Sequence, residues 1–366
     1  MKRVLLILLI LAATISAATS AFAGGTGERR PGSGGAKIKI GLSFSDFVTE
    51  RWPIEAALLT KLGYDKDVQV ISQVANHDEK LQNDQIANMV RLGVNALIVV
   101  AENGDAAASA AAAAHDAGVK VIAYDRLIKT PKLDAYVSFD NIEVGRAQAR
   151  GVLAVKNSGN FVLLGGSPLD NNAILLRNGQ MEVLKPLIDK GQIRVVADQW
   201  VEDWEPDNAA SIMENILTAV NNKVDAVVAS NDGTALGALR ALQARGLAGK
   251  VPISGQDATA AGCASIVDGG LTMTVFKDIR TLSPLAIDLA IDMVNGVKSG
   301  PVGQLKMYDL AELALNKKLT GQVPCYFLPV VQVDKSNVYD VVVKSGFQKY
   351  DDVYQDVPEG ARPPKP

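Results

Sequence analysis

Short apolar runs alternate with amphipathic stretches through most of this 366-residue chain. The runs at 37–44 (KIKIGLSF), 68–74, 96–101 and 119–124 are rich in aliphatic side chains and bounded by polar or turn-forming residues, which predicts strands. Between them, 54–62, 79–92 and 105–117 place apolar residues at helical spacing, the last an alanine-rich stretch that Gly118 would end. The beat then restarts. Strands are expected at 161–164, 195–198, 226–229, 251–254 and 273–276, with helices near 174–190, 208–221, 234–245 and 259–267. Strands that alternate with helices of this length form a parallel sheet, because each crossover lays its helix on a face and both faces end up covered. Two successive blocks therefore predict an α/β protein of two doubly wound parallel-sheet lobes.

Between the blocks, 135–139 is apolar, and Asp140-Asn141-Ile142-Glu143 has the spacing of a capping box that opens a helix to about residue 155. This junction is the first expected crossing between lobes. The stretch 279–297 is a long helix without a sheet partner in the second block, which would return it to the first, and 323–333 would cross back. From 351 the chain is rich in Asp, Pro and Gly and is expected to hang loose or lie on the surface.

The N-terminus breaks the αβ pattern. Met1-Lys2-Arg3 is a basic head, 4–15 is almost wholly apolar, and Ala21-Phe22-Ala23 supplies a small-x-small cleavage pattern, so 1–23 is expected to be a signal peptide cut near Ala23. The apolar run is too short and wrongly flanked for a membrane anchor. Residues 24–36, rich in Gly, are expected to form a flexible leader. Export places the mature chain in the periplasm. With 48% hydrophobic residues, 5% aromatics and a formal charge of -3, the body can build a large core and has no charge excess to draw nucleic acid or an anionic membrane. Cys263 and Cys325 lie far apart in the chain. An oxidising compartment permits a bridge between them, which would stabilise by roughly 3–4 kcal/mol on the chain-entropy model; two buried free thiols is the other reading.

In open αβ sheets ligands bind beyond the carboxyl ends of the strands. Those ends hold Glu50-Arg51-Trp52, Tyr124-Asp125-Arg126, Gly165 to Asn172 (GGSPLDNN), Asp198-Gln199-Trp200 with Trp204, Ser230-Asn231-Asp232, Gly255-Gln256-Asp257 and Phe276-Lys277-Asp278. A sugar presents hydroxyls that both donate and accept, together with an apolar C–H face. Carboxylates, Arg and Lys, Asn and an indole are the matching set. The acids Asp125, Asp170 and Asp257 balance the bases Arg51, Arg126 and Lys277, which suits a neutral ligand better than a carboxylate or phosphate. Each residue also has a plainer reading. Asp140 and Asp232 head helices and read as caps rather than ligands, Trp200 reads as core, and Asp125 with Arg126 reads equally as a structural ion pair.

Enzymatic chemistry finds little support. His77 falls at a helix start and His115 at a helix end, where histidine complements the helix dipole. No paired-histidine, C-x-x-C or H-E-x-x-H pattern suggests a metal, and neither histidine sits at a strand end where a Ser-His-Asp triad would need it. Gly165-Gly166 after a strand is a weak phosphate-loop signal without the Lys-Ser/Thr ending. A pair of acids able to hydrolyse a glycoside stays open. A sugar-responsive repressor of similar fold would carry a helix-turn-helix ahead of residue 37 in place of the export segment.

From 37 to 349 the motifs, in order, are ERW at 50–52, AYDR at 123–126, SFDN at 138–141, GGSPLDNNA at 165–173, DQWVEDW at 198–204, MENILTA at 213–219, DAVVASND at 225–232, SGQDA at 254–258 and TMTVFKD at 272–278. In these the chain resembles the type I periplasmic sugar-binding proteins of bacterial ABC importers, in particular their D-xylose-binding members. The resemblance implies two lobes joined by a three-strand hinge, with crossings near 142, 277 and 307. The N-terminal lobe would then be 37–142 plus 278–306, the C-terminal lobe 143–277 plus 307–348, and 349–366 a polar tail. It implies ligand contacts from Arg51, Trp52, Asp125, Arg126, Asp170, Asn172, Trp204, Asn231, Asp257 and Lys277, with no catalytic residue, metal or cofactor. The implied ligand is a monosaccharide, D-xylose, with glucose or another aldose as the alternative. The implied partners of this monomer are a permease and its ATPase in the inner membrane, or, on a second reading, a membrane sensor kinase. Pro53 after ERW, the two cysteines and the Pro-rich tail depart from the family pattern, and none is among the implied ligands.

Overall fold

A computed structural model describes residues 37–366. The expected signal peptide and leader lie outside the described residues. In chain order the first half comprises β1 (Lys39–Phe44), α1 (Arg51–Asp65), β2 (Gln69–Val74), α2 (Glu79–Arg91), β3 (Ala96–Val99), α3 (Ala108–Asp116), β4 (Lys120–Tyr124), β5 (Ala135–Phe139), α4 (Asn141–Leu153), β6 (Gly159–Gly165) and α5 (Asn171–Asp189). There follow β7 (Ile193–Trp200), α6 (Pro206–Ala219), β8 (Ala226–Ala229), α7 (Asp232–Ala244), α8 (Ala260–Asp268), β9 (Met273–Phe276), α9 (Ile279–Val294), β10 (Lys306–Asp309), α10 (Leu310–Leu313), β11 (Gln322–Leu328), β12 (Val331–Asp334) and α11 (Tyr350–Tyr354). No helix among the described residues is long and apolar enough to cross a membrane.

Local signals set these boundaries. The Asp78 carboxylate caps α2 by accepting from the Leu81 amide at 2.8 Å, Asp140 caps α4 through the Glu143 amide at 2.9 Å, and the Thr259 hydroxyl caps α8 through the Gly262 amide at 3.0 Å. Gly269, at φ 85°, ends α8 in the left-handed conformation that a Cβ would oppose. Helix α1 begins at Arg51, ahead of the expected 54, because Pro53 falls in its first turn, where a missing N–H costs nothing.

A seven-stranded sheet has the order β10-β11-β5-β4-β3-β1-β2, parallel except at its β10 edge. Alternate side chains feed two cores: Ile98, Ile122 and Tyr124 pack with α1 and α9, while Leu97, Val99, Val121 and Ala123 pack with α2 and α3. The second block forms a parallel sheet β7-β6-β8, which single parallel bridges, Val227 to Ile253 and Ser254 to Met273, continue to β9 and its antiparallel partner β12. The type I doubly wound architecture is thus two sheets, as the alternating pattern implied. The chain leaves the first sheet after β5, where α4 packs on α5 and β9, and returns after β9, where α9 packs on α1 and β3. The third passage is not near 307. β10 and β11 pair with the first sheet, β11 lying parallel to β5, and the crossing is at 329–330 before β12 joins β9. The pattern at 323–333 marked that passage better than the resemblance did.

Cys263 and Cys325 are free and buried in separate cores, the first beside Phe276 and Val342, the second beside Tyr136 and Val323. The tail is fastened down. Val353 and Tyr354 of α11 are buried against the α8 region, and the hydroxyls of Tyr339 and Tyr350 donate to the carbonyls of Pro364 and Pro363 at 2.8 and 2.5 Å.

Candidate functional site

A narrow cleft of about 20 Å3 lies where the carboxyl ends of the two sheets meet, its walls drawn together by side chains that pair across it. Its walls hold Arg51, Trp52, Asp125, Arg126, Asp170, Asn172, Trp204, Asn231, Asp257 and Lys277, joined by Thr49 and Gln256. Every residue that the resemblance implies as a ligand contact is therefore brought to one place, each only 2–8% exposed. The first turn of α1 delivers Arg51 and Trp52, and the end of β4 delivers Asp125 and Arg126. From the other sheet, the β6–α5 turn gives Asp170 and Asn172, the short turn after β7 gives Trp204, the head of α7 gives Asn231, and 255–257 gives Gln256 and Asp257. Lys277 stands at the passage after β9.

The charged groups form a continuous network across the cleft. The Arg51 Nη1 lies 3.1 Å from Asp125 Oδ2 and 3.4 Å from Asp257 Oδ1, while its Nε donates to Glu55 at 2.5 Å. Arg126 Nε meets Asp170 Oδ2 at 2.9 Å, and its guanidinium lies 3.9 Å from Asp46 and 3.8 Å from Glu102. Asn172 Nδ2 donates to Asp125 Oδ1 at 2.9 Å, Asn141 Nδ2 donates to Asn172 Oδ1 at 2.9 Å, and Lys277 Nζ donates to Asn141 Oδ1 at 2.9 Å. Arg51 with Asp257, Arg126 with Asp170, and Asn172 with Asp125 each link groups from the two sheets. Burial raises the Asp125 carboxyl, but the charges of Arg51, Lys277 and Arg126 outweigh it and hold the pKa below the ordinary value. At Asp170 burial wins over Arg126 and the pKa is raised.

Five polar atoms of the lining are buried without a partner: Thr49 Oγ1, Arg51 Nη2, Trp52 Nε1, Trp204 Nε1 and Gln256 Oε1. Three donors, a hydroxyl and an acceptor on the walls of so small a space can recognise a neutral polyol that both donates and accepts. Trp52 and Trp204 supply an indole from each sheet. The guanidinium carbons of Arg51 and Arg126 stand 4.5 and 5.5 Å from the Trp52 ring centroid.

The backbone is strained where it presents these groups. Asp125 (φ 59°), Trp204 (φ 60°) and Asp257 (φ 96°) all hold left-handed conformations that non-glycine residues avoid. Gly165 and Gly166 are seats for indoles and not a phosphate loop. A Cβ on Gly166 would come within 2.1 Å of the Trp204 ring, and one on Gly165 within 2.3 Å of Trp200. Trp200 itself is half-buried under Arg177, away from the cleft wall.

Two plainer readings shift by one residue or one neighbour. Asp140 caps α4 as expected. The cap of α7 is Asn231, which accepts from the Thr234 amide at 2.8 Å, whereas Asp232 is a buried carboxylate in the turn behind it. His77 precedes the cap of α2 and sets its Nδ1 3.2 Å from Glu102. Asp46, His77 and Glu102 bring ligand-type atoms within 4.8 Å of one another, but the Arg126 guanidinium beside both carboxylates already supplies positive charge there, which disfavours a metal ion. The implied ligand set left out Gln256, although it stands among the strand-end residues, and sequence reasoning gave no site role to Thr49 and Asn141, each adjacent to or inside a quoted motif, or to the outer carboxylates Asp46, Glu55 and Glu102, which carry no pattern of their own.

Comparison with known proteins places these residues in context. The model of the periplasmic binding protein domain matches residues 54–298. The chain is 45% identical over 313 residues to the D-xylose-binding periplasmic protein of Escherichia coli (strain K12), covering 86% of this chain and 92% of that protein. It is 45% identical over 317 residues to the protein of the same name in Haemophilus influenzae, covering 87% and 92%. A solved ABC transporter solute-binding protein from Clostridium phytofermentans with bound β-D-glucose superposes with a TM-score of 0.77 at 31% identity, covering 86% of this chain and 99% of that one.

Proposed function

This chain belongs to the periplasmic binding protein domain family, and from that premise we propose that it is the periplasmic receptor of an ABC sugar importer, holding D-xylose between its two lobes and handing it to a permease and ATPase. The observation that carries this reading is the convergence of acids, bases, amides and indoles from both sheets on one small cleft of balanced charge. The 45% identity to two D-xylose-binding proteins supports the choice of sugar.

The arrangement implies a mechanism of binding without a chemical step. A ligand can shift an open–closed equilibrium only by interacting better with one state. Here Arg51, Asp125 and Arg126 approach the ligand from one lobe, and Asp170, Asn172, Asn231 and Asp257 from the other, so a sugar gains its full set of hydrogen bonds only when the lobes meet. The carboxylates accept from ring hydroxyls, the guanidinium and ammonium groups donate to them, and an indole covers the C–H face. A monomer suffices, because both walls of the cleft come from one chain, and no cofactor is called for.

Calorimetric titration of the purified protein with D-xylose, D-glucose, D-ribose, L-arabinose and D-galactose tests the reading. Xylose is expected to bind most tightly. Absence of binding by every sugar in the panel would overturn the proposal, and tighter binding of glucose would keep the receptor and replace its ligand.

A further inference from the structure

The loop 255–259 brings Gln256 and Asp257 to the cleft, yet its shape is not one these residues adopt unaided: Asp257 and Ala258 hold φ 96° and 49°. We propose that the buried Asp232, which does not line the cleft, is the positioning residue that imposes this shape and thereby presents Asp257 to the ligand and to Arg51. This rests on the sugar-binding reading above.

The contacts are specific. Asp232 is 1% exposed in the first turn of α7. Its Oδ1 accepts from the Thr274 hydroxyl at 2.8 Å; its Oδ2 accepts from the Thr259 amide at 2.8 Å and the Thr259 hydroxyl at 3.1 Å; its own amide donates to the Gln256 carbonyl at 3.0 Å. The Thr274 hydroxyl in turn accepts from the Ala258 amide at 3.2 Å, and that of Thr259 from the Gly262 amide at 3.0 Å. Residues 258 and 259 are thus tied, directly or through one hydroxyl, to this single side chain, and the 256 carbonyl to the same residue's backbone amide. Because each hydroxyl already accepts from a backbone amide, its proton is free to point at Asp232. Three donors converge on the group, which is the environment of a carboxylate and not of a carboxylic acid. The fit is close: a Cβ on Gly255 would stand 2.1 Å from Oδ1, and one on Gly262 2.2 Å from Oδ2.

The surroundings make this anchor sensitive to pH. The charged and titratable groups facing Asp232 are Asp257 in the loop and the Cys263 thiol in α8, and neither is a cation that would neutralise it. Burial foremost, opposed by the Thr274 hydrogen bond and reinforced by Asp257, pushes the carboxyl up to about 7. If closure on the sugar needs the ionised form, ligand binding lowers this pKa, and affinity falls as pH drops through about 7. Stability has the opposite sign. A carboxyl whose folded pKa is raised costs stability above that pKa and is relieved as the proton adds, so weaker binding in acid is not a sign of unfolding.

Titration of wild type, Asp232→Asn and His77→Gln with D-xylose from about pH 5.5 to about pH 8.5 reads this out, with His77 tested because histidine as a residue type also titrates in that interval. Wild-type and His77→Gln affinity are expected to fall together by about tenfold on acidification, with Asp232→Asn weak and flat throughout. A flat wild-type profile, a profile lost in His77→Gln, or an Asp232→Asn variant that follows wild type overturns the proposal. If the variant fails to fold, the wild-type and His77→Gln profiles decide. If no sugar binds wild type, the functional reading fails instead. Asp232 is then judged by amide exchange in the ligand-free protein at one pH: exchange at 256–262 faster in the variant, with the first sheet unchanged, supports the anchor, and unchanged exchange sinks it.

Discussion

Trp204 shows how much of the site depends on a neighbour that never touches ligand. Its indole rests where a Gly166 Cβ would stand, 2.1 Å from the ring, and its backbone is held at φ 60°. Any side chain at 166 must therefore displace the ring. Gly166→Ala is expected to weaken xylose binding by about 1–3 kcal/mol, the usual cost of losing a stacked aromatic, and so to match Trp204→Ala. Calorimetry of the two variants checks this, and wild-type affinity in both would remove Trp204 from the site. Asp125 makes a related point: it accepts from Arg51 and Asn172 with Lys277 3.8 Å away, whereas its neighbour Arg126 pairs with Asp170, so the ion pair read between the two adjacent residues gives way to pairings with distant ones.

Among the elements, the C-terminal segment departs most from expectation. Helix α11 buries Val353 and Tyr354 in the same cluster as Ala258, Cys263 and Phe276, and Gln348 Nε2 donates to the Ala258 carbonyl at 2.9 Å. It supports the back of the loop whose front carries Asp257. Deleting 350–366 would remove the buried Val353 and Tyr354, each worth ~1.5–3 kcal/mol, and uncover the cluster they cover, so it is expected to lower the thermal midpoint clearly and weaken xylose binding as well. Scanning calorimetry and sugar titration of the truncated chain measure both, and an unchanged midpoint would mean the segment is ornamental. The sequence did not disclose this clasp because its apolar residues are few and scattered among Asp, Pro and Gly. β10 was hidden for a similar reason: Lys-Met-Tyr-Asp at a solvated sheet edge has no apolar run to find. The strands that were legible, such as Ala96–Val99 and Ala226–Ala229, are buried at every position, and that forces a continuous apolar signature.

For the molecule as a whole, a ligand that binds the closed fold and not the unfolded chain must stabilise it. Xylose at a hundred times its dissociation constant is expected to add about 2.7 kcal/mol, seen as a rise in thermal midpoint that galactose at equal concentration does not reproduce. The two-sheet plan and the residues at its strand ends were readable because parallel sheets put function at one predictable edge. Which neighbours support them was not, since the partners of Asp125 or Asp232 lie tens of residues away and carry no local pattern. The third passage between the sheets has a consequence of its own. Only residues 329 and 330 separate β11 from β12, so the sheet margins they join can stand no more than ~10 Å apart however wide the cleft gapes. The lobes are thus tethered like the covers of a book at its spine: dye pairs placed beside 329–330 would report almost no change on sugar uptake, and pairs on the far rim would report nearly all of it.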